Sequence, residues 1–439
     1  MKIVSQNGRL TWGGLDVVRL AEEHGTPLYV MSEDMIVDRI RQIRDRFLDR
    51  HERTRAAYAS KAFLTGAMAC IVRRENLWLD VVSGGELHTA LLSNFPMERV
   101  LFHGSAKSKP ELTYAVKLGA GRVVVDNMTE MERLSDIAQS EGVLQKILIR
   151  VSPGVDSHTH KYIQTGGLDS KFGIPLRGNG LIEAIRFVMN SASLELEGFH
   201  FHIGSQLKDP ESHVLAAKAL VSRVGELRTD AGYSPREINV GGGFAAAFSP
   251  SEESAEIGTF LDPVMKTFDE YFEAEGIARP IVCIEPGRWI VSEAGITLYR
   301  VENVKDMPGT ATYVAVDGGM ADNPRPSLYG AEYCAFVANK MDEPAGAPVT
   351  IVGRCCESGD VIVRDARLPM CEREDIIAVL STGAYNYSMA SRYNMLPRPA
   401  VLLISNGIAD TIVRGETWDD LARYDFIPER LRASGQGAF

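Results

Sequence analysis

The sequence predicts a (β/α)8 TIM barrel, an α/β fold, followed by a C-terminal β-rich domain of the barrel or sandwich type. Between residues 56 and 290, short runs rich in β-branched and aromatic residues alternate with segments whose apolar residues recur every three or four positions. The eight strand-and-helix units favour a closed barrel over the alternative, an open doubly wound sheet. After about residue 290, short strands broken by turn residues replace this alternation, and 439 residues are enough for two domains.

The barrel is expected over residues 41–288, and its eight strands can be identified in chain order. The strand candidates are "AAYAS", "LWLDVVS", "RVLFHG", "RVVVDN", "ILIRVSPG", "LEGFHFHIGS", "EINVGGG" and "IVCIEPGRW". Helical patterns such as "GELHTALLSNF" and "KPELTYAVKLGA" separate them. The β domain is expected over 289–425. Residues 1–40 contain the strand-like "GRLTWGG" and "PLYVMS" and are expected to pack with it, while 426–439 form a tail whose end is expected to be disordered.

The bulk composition is ordinary for a globular enzyme and excludes several kinds of partner. The formal net charge is −11, which argues against nucleic acid and anionic membranes as partners, because both are polyanions. No apolar stretch approaches the ~18 residues needed to span a bilayer, and the N-terminus lacks the apolar core of a signal peptide. The six cysteines show no disulfide-framework spacing, which fits a reducing cytoplasm.

Unusual polar residues follow the predicted barrel strands, at the edge where the active site of such a barrel lies. They are Lys61, Asp80 and Glu86, His200 and His202, Gly241–Gly243, and Glu285 with Arg288. Each group alone has a simpler interpretation: a solvated lysine, a packed histidine pair, a tight turn, or a Glu–Arg ion pair. The histidines could also bind a metal ion, but no obvious third ligand accompanies them, so no metal site is predicted.

Taken together, these residues match the requirements of pyridoxal 5'-phosphate. Lys61 lies between Tyr58 and Phe63, where a solvated charge is out of place, so we expect a buried lysine with a lowered pKa that can form a Schiff base. The glycine loop offers backbone N–H groups that can bind a phosphate. A flat histidine and a carboxylate complete the set.

The chain resembles, over about residues 25–420, the diaminopimelate decarboxylases of the fold-type III, alanine-racemase-like group of pyridoxal-phosphate enzymes. The resemblance rests on the motifs "YASKAF", "DVVSGGEL", "FHGSAKS", "TGGLDSKFGI", "HFHIGSQ", "NVGGGF", "EPGR", "RPSLYGAEY", "CCESGD" and "GAYNYSMASRYN". Two of them, "TGGLDSKFGI" and "CCESGD", favour the amino-acid decarboxylases over the racemases. The resemblance implies decarboxylation of meso-2,6-diaminopimelate to L-lysine and CO2, the last step of lysine biosynthesis.

The resemblance also implies which residues bind the cofactor. Lys61 holds it covalently, His202 stacks on its ring, and Glu285 accepts a hydrogen bond from the ring nitrogen. Asp80 orients groups near the lysine, and His200 supports its strand. The other implied cofactor contacts are Ser205, Gly241, Gly242, Gly243, Gly287, Arg288 and Tyr385.

Substrate recognition is likewise implied by the resemblance. Arg288, Arg325 and Tyr329 form a carboxylate-binding set, Glu357 holds the distal ammonium group, and Tyr385 also contacts the substrate. A guanidinium binds a carboxylate in bidentate fashion, which a lysine cannot do. Ornithine and free lysine lack the distal carboxylate, so they would leave the arginines unpaired.

In "VGRCCESGD" the two thiols are expected to differ. By resemblance, Cys356 is the proton donor of the reaction, and Cys356 and Glu357 enter the site from the second subunit of a homodimer. In an extended stretch, neighbouring side chains point in opposite directions. Cys355 is therefore expected to pack in the core.

Other interpretations of the same motifs remain. One is a related decarboxylase that acts on ornithine or carboxynorspermidine, and another is alanine racemase, against which "CCESGD" argues. A non-enzymatic cofactor-binding relative is a further alternative, although such proteins typically lose the lysine or the thiol, and Lys61 and Cys356 are both present.

One departure from the family is "FAAAF" after the three glycines, where another glycine is expected. It leaves open whether phosphate contacts extend beyond Gly243.

Overall fold

The computed structural model describes residues 3–155 and 171–432, which divide into two compact units. The first unit consists of Ser32–Gly295 and Leu380–Ser388. The second consists of Ile3–Met31, Ile296–Val379 and the described part of Met389–Phe439. The end of the predicted tail and the first part of the "TGGLDSKFGI" motif lie outside the described residues.

The N-terminal part of the second unit is made of short strands and one helix. Its elements are β1 (Val4–Gln6), β2 (Arg9–Trp12), β3 (Leu15–Asp16), α1 (Val17–His24) and β4 (Leu28–Ser32). The first three strands form an antiparallel sheet, and β4 belongs to the large sheet of the β-rich unit. The segments "GRLTWGG" and "PLYVMS" thus contain the strands that they predict.

All eight predicted barrel strands are present in the first unit. They are β5 (Thr54–Ala59), β6 (Trp78–Val81), β7 (Val100–Phe102), β8 (Arg122–Val125), β9 (Gln145–Ser152), β11 (Leu194–His200), β12 (Glu237–Asn239) and β13 (Ile281–Ile284). Each pairs in parallel with the next, and β13 pairs with β5, so the sheet closes. A short strand β10 (Ile174–Pro175) pairs with β9 as an addition to the barrel. The predicted TIM barrel is confirmed.

Helices follow the barrel strands because capping residues stand directly after the strand ends. The helices of this unit are α2 (Glu33–Ile43), α3 (Gly66–Arg74), α4 (Gly84–Leu92), α5 (Lys109–Leu118), α6 (Met128–Ser140), α7 (Gly180–Met189), α8 (Glu211–Ala231), α9 (Ile257–Ala274) and α10 (Arg288–Val291). The side chains of Thr65, Ser83 and Asn127 each accept a hydrogen bond from the backbone N–H three residues later. Ser83 and Asn127 each stand two residues after a strand, and Thr65 ends the loop that carries Lys61.

The opposite end of the barrel is closed by buried ion pairs. Glu237, the first residue of β12, lies 2.5 Å from the Arg55 guanidinium and 3.3 Å from that of Arg122. Both arginines lie over the ring of Trp78, at 3.9 and 5.7 Å from its centroid. Because this end is packed and paired, its charges contribute to stability rather than to a site.

The second unit continues with strands and two short helices. These elements are β14 (Gly295–Met307), β15 (Ala311–Val316), α11 (Arg325–Tyr329), β16 (Ala335–Val337), β17 (Pro348–Val352), β18 (Val361–Arg367), β19 (Ile376–Val379), β20 (Ala400–Ser405), β21 (Ile408–Val413) and α12 (Trp418–Ala422). The main sheet has the order β18-β17-β15-β14-β4-β20-β21. The predicted β-rich C-terminal region is confirmed. Among the described residues, no helix is long and apolar enough to cross a membrane.

The domain boundaries at residues 40 and 288 stay predictions, and the compact units differ from them: the barrel unit begins at Ser32, runs to Gly295 and includes residues 380–388. Helix α2 belongs to the barrel unit, where it packs against α9 and α10. Residues 380–388 return to the barrel unit, where the N–H of Tyr385 donates to the carbonyl oxygen of Ala62 at 2.8 Å. The return matters for function because it brings Tyr385 beside the segment of Lys61.

Candidate active site

Lys61 lies on the turn that directly follows β5, and its amine faces a buried carboxylate. The Lys61 Nζ atom is 3.8 Å from Oδ2 of Asp80, and 40% of the lysine side chain remains exposed. Burial lowers the pKa of Lys61, but the charge of Asp80, aided by Tyr385 and Glu285, raises it above its ordinary value overall. The prediction of a lowered pKa is therefore wrong, because the amine faces an anion. The lysine is half-buried, with its amine in a cavity.

The segment around Lys61 is fixed from both sides. The Ser60 hydroxyl contacts the carbonyl oxygen of Asp80 at 2.5 Å and Oε2 of Glu86 at 2.9 Å. The same oxygen of Glu86 accepts the N–H of Val82 at 2.7 Å. Glu86 thus connects the residues that follow β5 and β6, and its hydrogen bond to Ser60 fixes the turn that carries Lys61.

Glu285 directly follows β13, and three side chains donate hydrogen bonds to its buried carboxylate. Oε1 lies 2.7 Å from Nε2 of His103 and 2.7 Å from Nδ2 of Asn239. Oε2 lies 3.1 Å from Nε2 of His200. Burial raises the pKa of Glu285, but His103 and His200 together bring it well below its ordinary value. Glu285 is therefore ionised across the ordinary pH range.

The histidines near Glu285 differ from the prediction. His200 was expected only to support its strand, yet it donates to Glu285, and burial lowers its pKa to about 3, so its ring is neutral. One geometric cluster of possible ligand atoms exists among the described residues, but it does not include His202, so it does not test the expectation for the pair His200 and His202. His103, His200 and Glu285 place ligand atoms within 4.8 Å of one another, although the hydrogen bonds among them account for this closeness.

Sequence reasoning assigned no role to His103 or Asn239. Both residues were within quoted motifs, "FHGSAKS" and "NVGGGF", and both lie at the ends of barrel strands. Polar residues at the carboxyl ends of barrel strands are expected to form the active site, and His103 and Asn239 could have been predicted in this way, as Lys61 and Glu285 were.

The three glycines after β12 bring three strand ends close together. A Cβ atom on Gly242 would lie 2.1 Å from the carbonyl oxygen of Glu285, and one on Gly243 would lie 2.3 Å from that of Gly204. The N–H of Gly241 donates to Oδ1 of Asn239 at 2.9 Å, and that of Gly242 to Nδ1 of His202 at 3.3 Å. Within the described chain, the N–H of Gly243 has no such partner, so it is the one that remains for an anion.

The alanines that replace the expected glycine have their backbone donors already engaged. The N–H of Ala245 donates to the carbonyl of Leu207 at 3.1 Å, and that of Ala246 to the side-chain oxygen of Gln206 at 3.0 Å. The N–H of Ala247 contacts Ser254 Oγ at 3.2 Å. Phosphate contacts through these three N–H groups are therefore excluded in this arrangement.

A cationic group and a hydroxyl lie near the glycine loop. Nε and Nη2 of Arg288 each lie 3.4 Å from Oγ of Ser205, and the guanidinium carbon is 4.7 Å from the centroid of the Tyr385 ring. These side chains and the N–H of Gly243 form an anion-binding end.

Nine of the eleven predicted cofactor residues line one cavity. These nine are Lys61, His202, Ser205, Gly242, Gly243, Glu285, Gly287, Arg288 and Tyr385. The other two lie beside them, Asp80 next to the lysine and Gly241 next to Asn239.

The residues of this cavity fit pyridoxal phosphate. They provide an amine, an ionised carboxylate and an anion-binding group, which are the partners of an aldehyde, a protonated ring nitrogen and a phosphate. Burial, together with the charge of Lys61, lowers the pKa of His202 well below its ordinary value. The imidazole is thus neutral and suited to stack on an aromatic ring.

The residues predicted to bind substrate lie mainly in the second unit. Arg325 begins α11 and is buried, with its guanidinium carbon 5.1 Å from the centroid of the Tyr329 ring. Cys356 and Glu357 are exposed on the loop after β17, where the N–H of Cys356 donates to Oδ1 of Asn394 at 2.8 Å.

The two adjacent thiols lie in different environments. Cys355 is buried, whereas Cys356 is exposed. Burial, with a further effect from Asp360, raises the pKa of Cys355 to about 11. Cys355 is thus a protonated core residue, and Cys356 is the accessible thiol.

Comparison with known proteins identifies the family. Residues 33–292 match the family described as pyridoxal-dependent decarboxylase, pyridoxal binding domain. The diaminopimelate decarboxylase of Bacillus subtilis is 43% identical over 421 residues, which are 96% of each chain. The diaminopimelate decarboxylase of M. jannaschii, solved in complex with L-lysine, has a TM-score of 0.92 and 32% identity, over 98% of this chain and 99% of that one. That of Helicobacter pylori, also with L-lysine, has a TM-score of 0.85 and 32% identity, over 93% and 98%.

The predicted resemblance is thereby confirmed, and with it the pyridoxal phosphate cofactor. The chain belongs to the diaminopimelate decarboxylase family of pyridoxal-dependent decarboxylases.

Proposed function

We propose that this protein converts meso-2,6-diaminopimelate to L-lysine and CO2, the last step of lysine biosynthesis. The observation that carries the proposal is a cavity in which the amine of Lys61 and the ionised carboxylate of Glu285 lie together. Relatives that match nearly the full length of this chain bear the name diaminopimelate decarboxylase, and two solved relatives contain L-lysine, the product of this reaction.

The barrel residues bind and orient the cofactor. Pyridoxal phosphate, when bound, supplies the electron-withdrawing ring that stabilises the charge left as CO2 departs. Lys61 holds the cofactor through its amine, and the neutral ring of His202 packs on the cofactor ring. Glu285 keeps a proton on the ring nitrogen, because an anion beside that atom favours its protonated form. Arg288 and Ser205 hold the phosphate.

Three further side chains recognise the distal end of the substrate. Arg325, with Tyr329 beside it, binds the distal carboxylate, and Glu357 binds the distal ammonium. A site built to pair both charges rejects an amino acid that lacks one of them, because a site charge is then left without its partner. The site is therefore expected to select diaminopimelate over ornithine, which lacks the distal carboxylate.

Cys356 donates the proton that replaces the departing carboxylate. In the reaction the bond between the carbon and its carboxylate breaks, CO2 leaves, and one proton is added to the same carbon. We expect Cys356→Ala to lower kcat by about 100-fold, the typical loss when a general acid is removed. CO2 release under saturating substrate measures this effect.

Cys355→Ala is the matched control for the neighbouring thiol. Because Cys355 is buried and protonated, its loss is expected to cost about 1 kcal/mol of stability and to leave kcat nearly unchanged. Equal losses of kcat in the two variants would show that the proton donor has been assigned to the wrong residue.

The protein is further proposed to be a cytoplasmic homodimer, in which Cys356 and Glu357 complete the site of the partner subunit. Both residues are exposed on their own subunit. Apolar side chains flank Asn394, which holds the Cys356 loop: Tyr393 is 41% exposed and Met395 is 54% exposed. An exposed apolar surface beside a reactive loop suits burial by a second copy. Light scattering in solution tests whether the protein is a dimer.

The cytoplasmic location is supported by the cysteines. All six are free thiols, as is usual for proteins of a reducing compartment.

The test of the proposed function is a product assay with a small panel of amino acids. Purified protein with pyridoxal phosphate is incubated with meso-diaminopimelate, L-ornithine, L-arginine or L-lysine, and CO2 and amine products are measured. We expect CO2 and L-lysine from meso-diaminopimelate alone. Release of CO2 only from ornithine or arginine would contradict the proposed substrate.

A further inference from the structure

We propose that His103 is a positioning residue for this reaction, which holds Glu285 in place relative to the pair formed by Lys61 and Asp80. The proposal rests on the proposed function, because it concerns the carboxylate that serves the cofactor ring. It adds a residue to which the motifs assign no role.

The geometry links the lysine to the glutamate through a single imidazole nitrogen. Nε2 of His103 lies 2.7 Å from Oε1 of Glu285 and 3.7 Å from Oδ1 of Asp80. The other oxygen of Asp80 lies 3.8 Å from Nζ of Lys61. Four side chains from the ends of β5, β6, β7 and β13 are thus connected in a row.

His103 contributes to both the position and the orientation of Glu285. It shares Oε1 with Asn239, while His200 donates to Oε2, so donors act on both oxygens and limit rotation of the carboxylate. The His103 and His200 rings also pack edge to face, with centroids 4.6 Å apart and planes at 68°. Loss of His103 therefore removes one hydrogen-bond donor to Glu285. It also removes the ring contact that helps to hold His200, the donor to the other carboxylate oxygen.

His103 also separates two buried carboxylates. Asp80 is 1% exposed and makes no side-chain hydrogen bond to any described residue. Nε2 of His103 at 3.7 Å and Nζ of Lys61 at 3.8 Å lie beside its carboxylate. Asp80 and Glu285 both lie within 3.7 Å of Nε2 of His103. Without the imidazole, two like charges would face each other at low dielectric, which favours protonation or displacement of one of them. Either change weakens the hold of Glu285 on the ring nitrogen.

The test compares two substitutions of similar length, His103→Gln and His103→Met. The glutamine amide can place an N–H near the original Nε2 position, whereas the methionine cannot donate. We expect His103→Met to lower kcat by about 10- to 100-fold, the equivalent of one hydrogen bond to a charged group, with little change in KM. His103→Gln is expected to recover most of this loss.

A spectroscopic measurement separates positioning from a purely structural role. The visible absorption band of the bound cofactor depends on the protonation of its ring, so we expect the band to shift in His103→Met and to return toward the parent position in His103→Gln. His88→Phe is the matched control, because His88 is exposed and its ring contacts the hydroxyl of Tyr114 at 3.0 Å, with no other hydrogen bond to a residue that the structure describes. It should change neither kcat nor the band.

The possible outcomes are distinct for the two proposals. If the parent protein releases no CO2 from diaminopimelate, the proposed function fails, while the cofactor band of the His103 variants still reports on His103. If the parent is active and His103→Met keeps its kcat and its band, the positioning role is wrong. Failure of both variants to fold would also overturn it, because His103 would then be required for folding.

Discussion

Lys61→Ala is expected to lower kcat by at least about 1,000-fold, the order of loss seen when a covalent catalytic group is removed. The side chain provides the amine in the cavity that can bind the cofactor aldehyde, and it faces Asp80 at 3.8 Å. Two measurements check this: CO2 release from meso-diaminopimelate, and cofactor retained after borohydride reduction and denaturation. The parent should retain the cofactor covalently, and the variant should not.

Two controls make this result specific. Lys61→Arg keeps the positive charge beside Asp80 but offers no amine of the required reactivity, so it should be as inactive as the alanine variant. Lys117→Ala removes an exposed lysine whose partner is Glu141 at 3.4 Å and should leave kcat unchanged. Covalent cofactor in the reduced Lys61→Ala protein would show that another lysine carries it.

A comparison of two lysines shows why burial alone does not identify the functional one. Lys107 is 1% exposed at its side chain and lies 2.7 Å from Glu130, with further contacts to the carbonyl oxygens of Gly104 and Val124. Burial lowers the pKa of Lys107, despite the opposing charge of Glu130. The buried lysine with a lowered pKa is therefore Lys107, whose ammonium group contacts three acceptors. Lys61 is the accessible amine, and its position after a barrel strand is what distinguishes it.

The barrel could be predicted because its strands are buried on both faces. A strand such as "RVVV" at β8 has four buried residues in succession. The sequence shows this as a run of three valines that ends at a polar residue, here Asp126. The same rule placed Lys61, Asp80 and Glu285 at one edge of the sheet, and the structure brings them together. It could not show the direction of the Lys61 pKa, which depends on a neighbour supplied by the next strand.

Other features of the site depend on contacts between segments distant in sequence, which no local pattern encodes. Tyr385 reaches the cavity because residues 380–388 return to the barrel unit. Its backbone N–H donates to Ala62, which lies 323 positions earlier in the chain. The N–H groups of Ala245–Ala247 look available in sequence but are taken by Leu207, Gln206 and Ser254. In both cases the three-dimensional arrangement decides which groups can contact the cofactor.

Glu285→Gln is expected to lower kcat by at least about 100-fold. The neutral amide cannot keep a proton on the cofactor ring nitrogen, because it lacks the negative charge that favours it. The amide also fits its surroundings poorly. His103, Asn239 and His200 all donate to the carboxylate, so the new NH2 group would face a donor and leave buried groups unsatisfied. Turnover under saturating substrate and the absorption band of the bound cofactor measure the effect.

Glu237→Gln is the matched control, because Glu237 is an equally buried glutamate at the other end of the same barrel. Its carboxylate pairs with Arg55 and Arg122, so its loss removes the anion beside Arg55 and one of the two carboxylates beside the buried Arg122, and it should lower the melting temperature. At temperatures well below that transition, kcat should stay near the parent value. The two variants then distinguish stability from catalysis. Glu237→Gln is expected to lower the melting temperature, and Glu285→Gln is expected to lower kcat. A Glu285→Gln protein with near-parent turnover would show that charge at the ring nitrogen is not required, and the mechanism proposed for this cavity would fail.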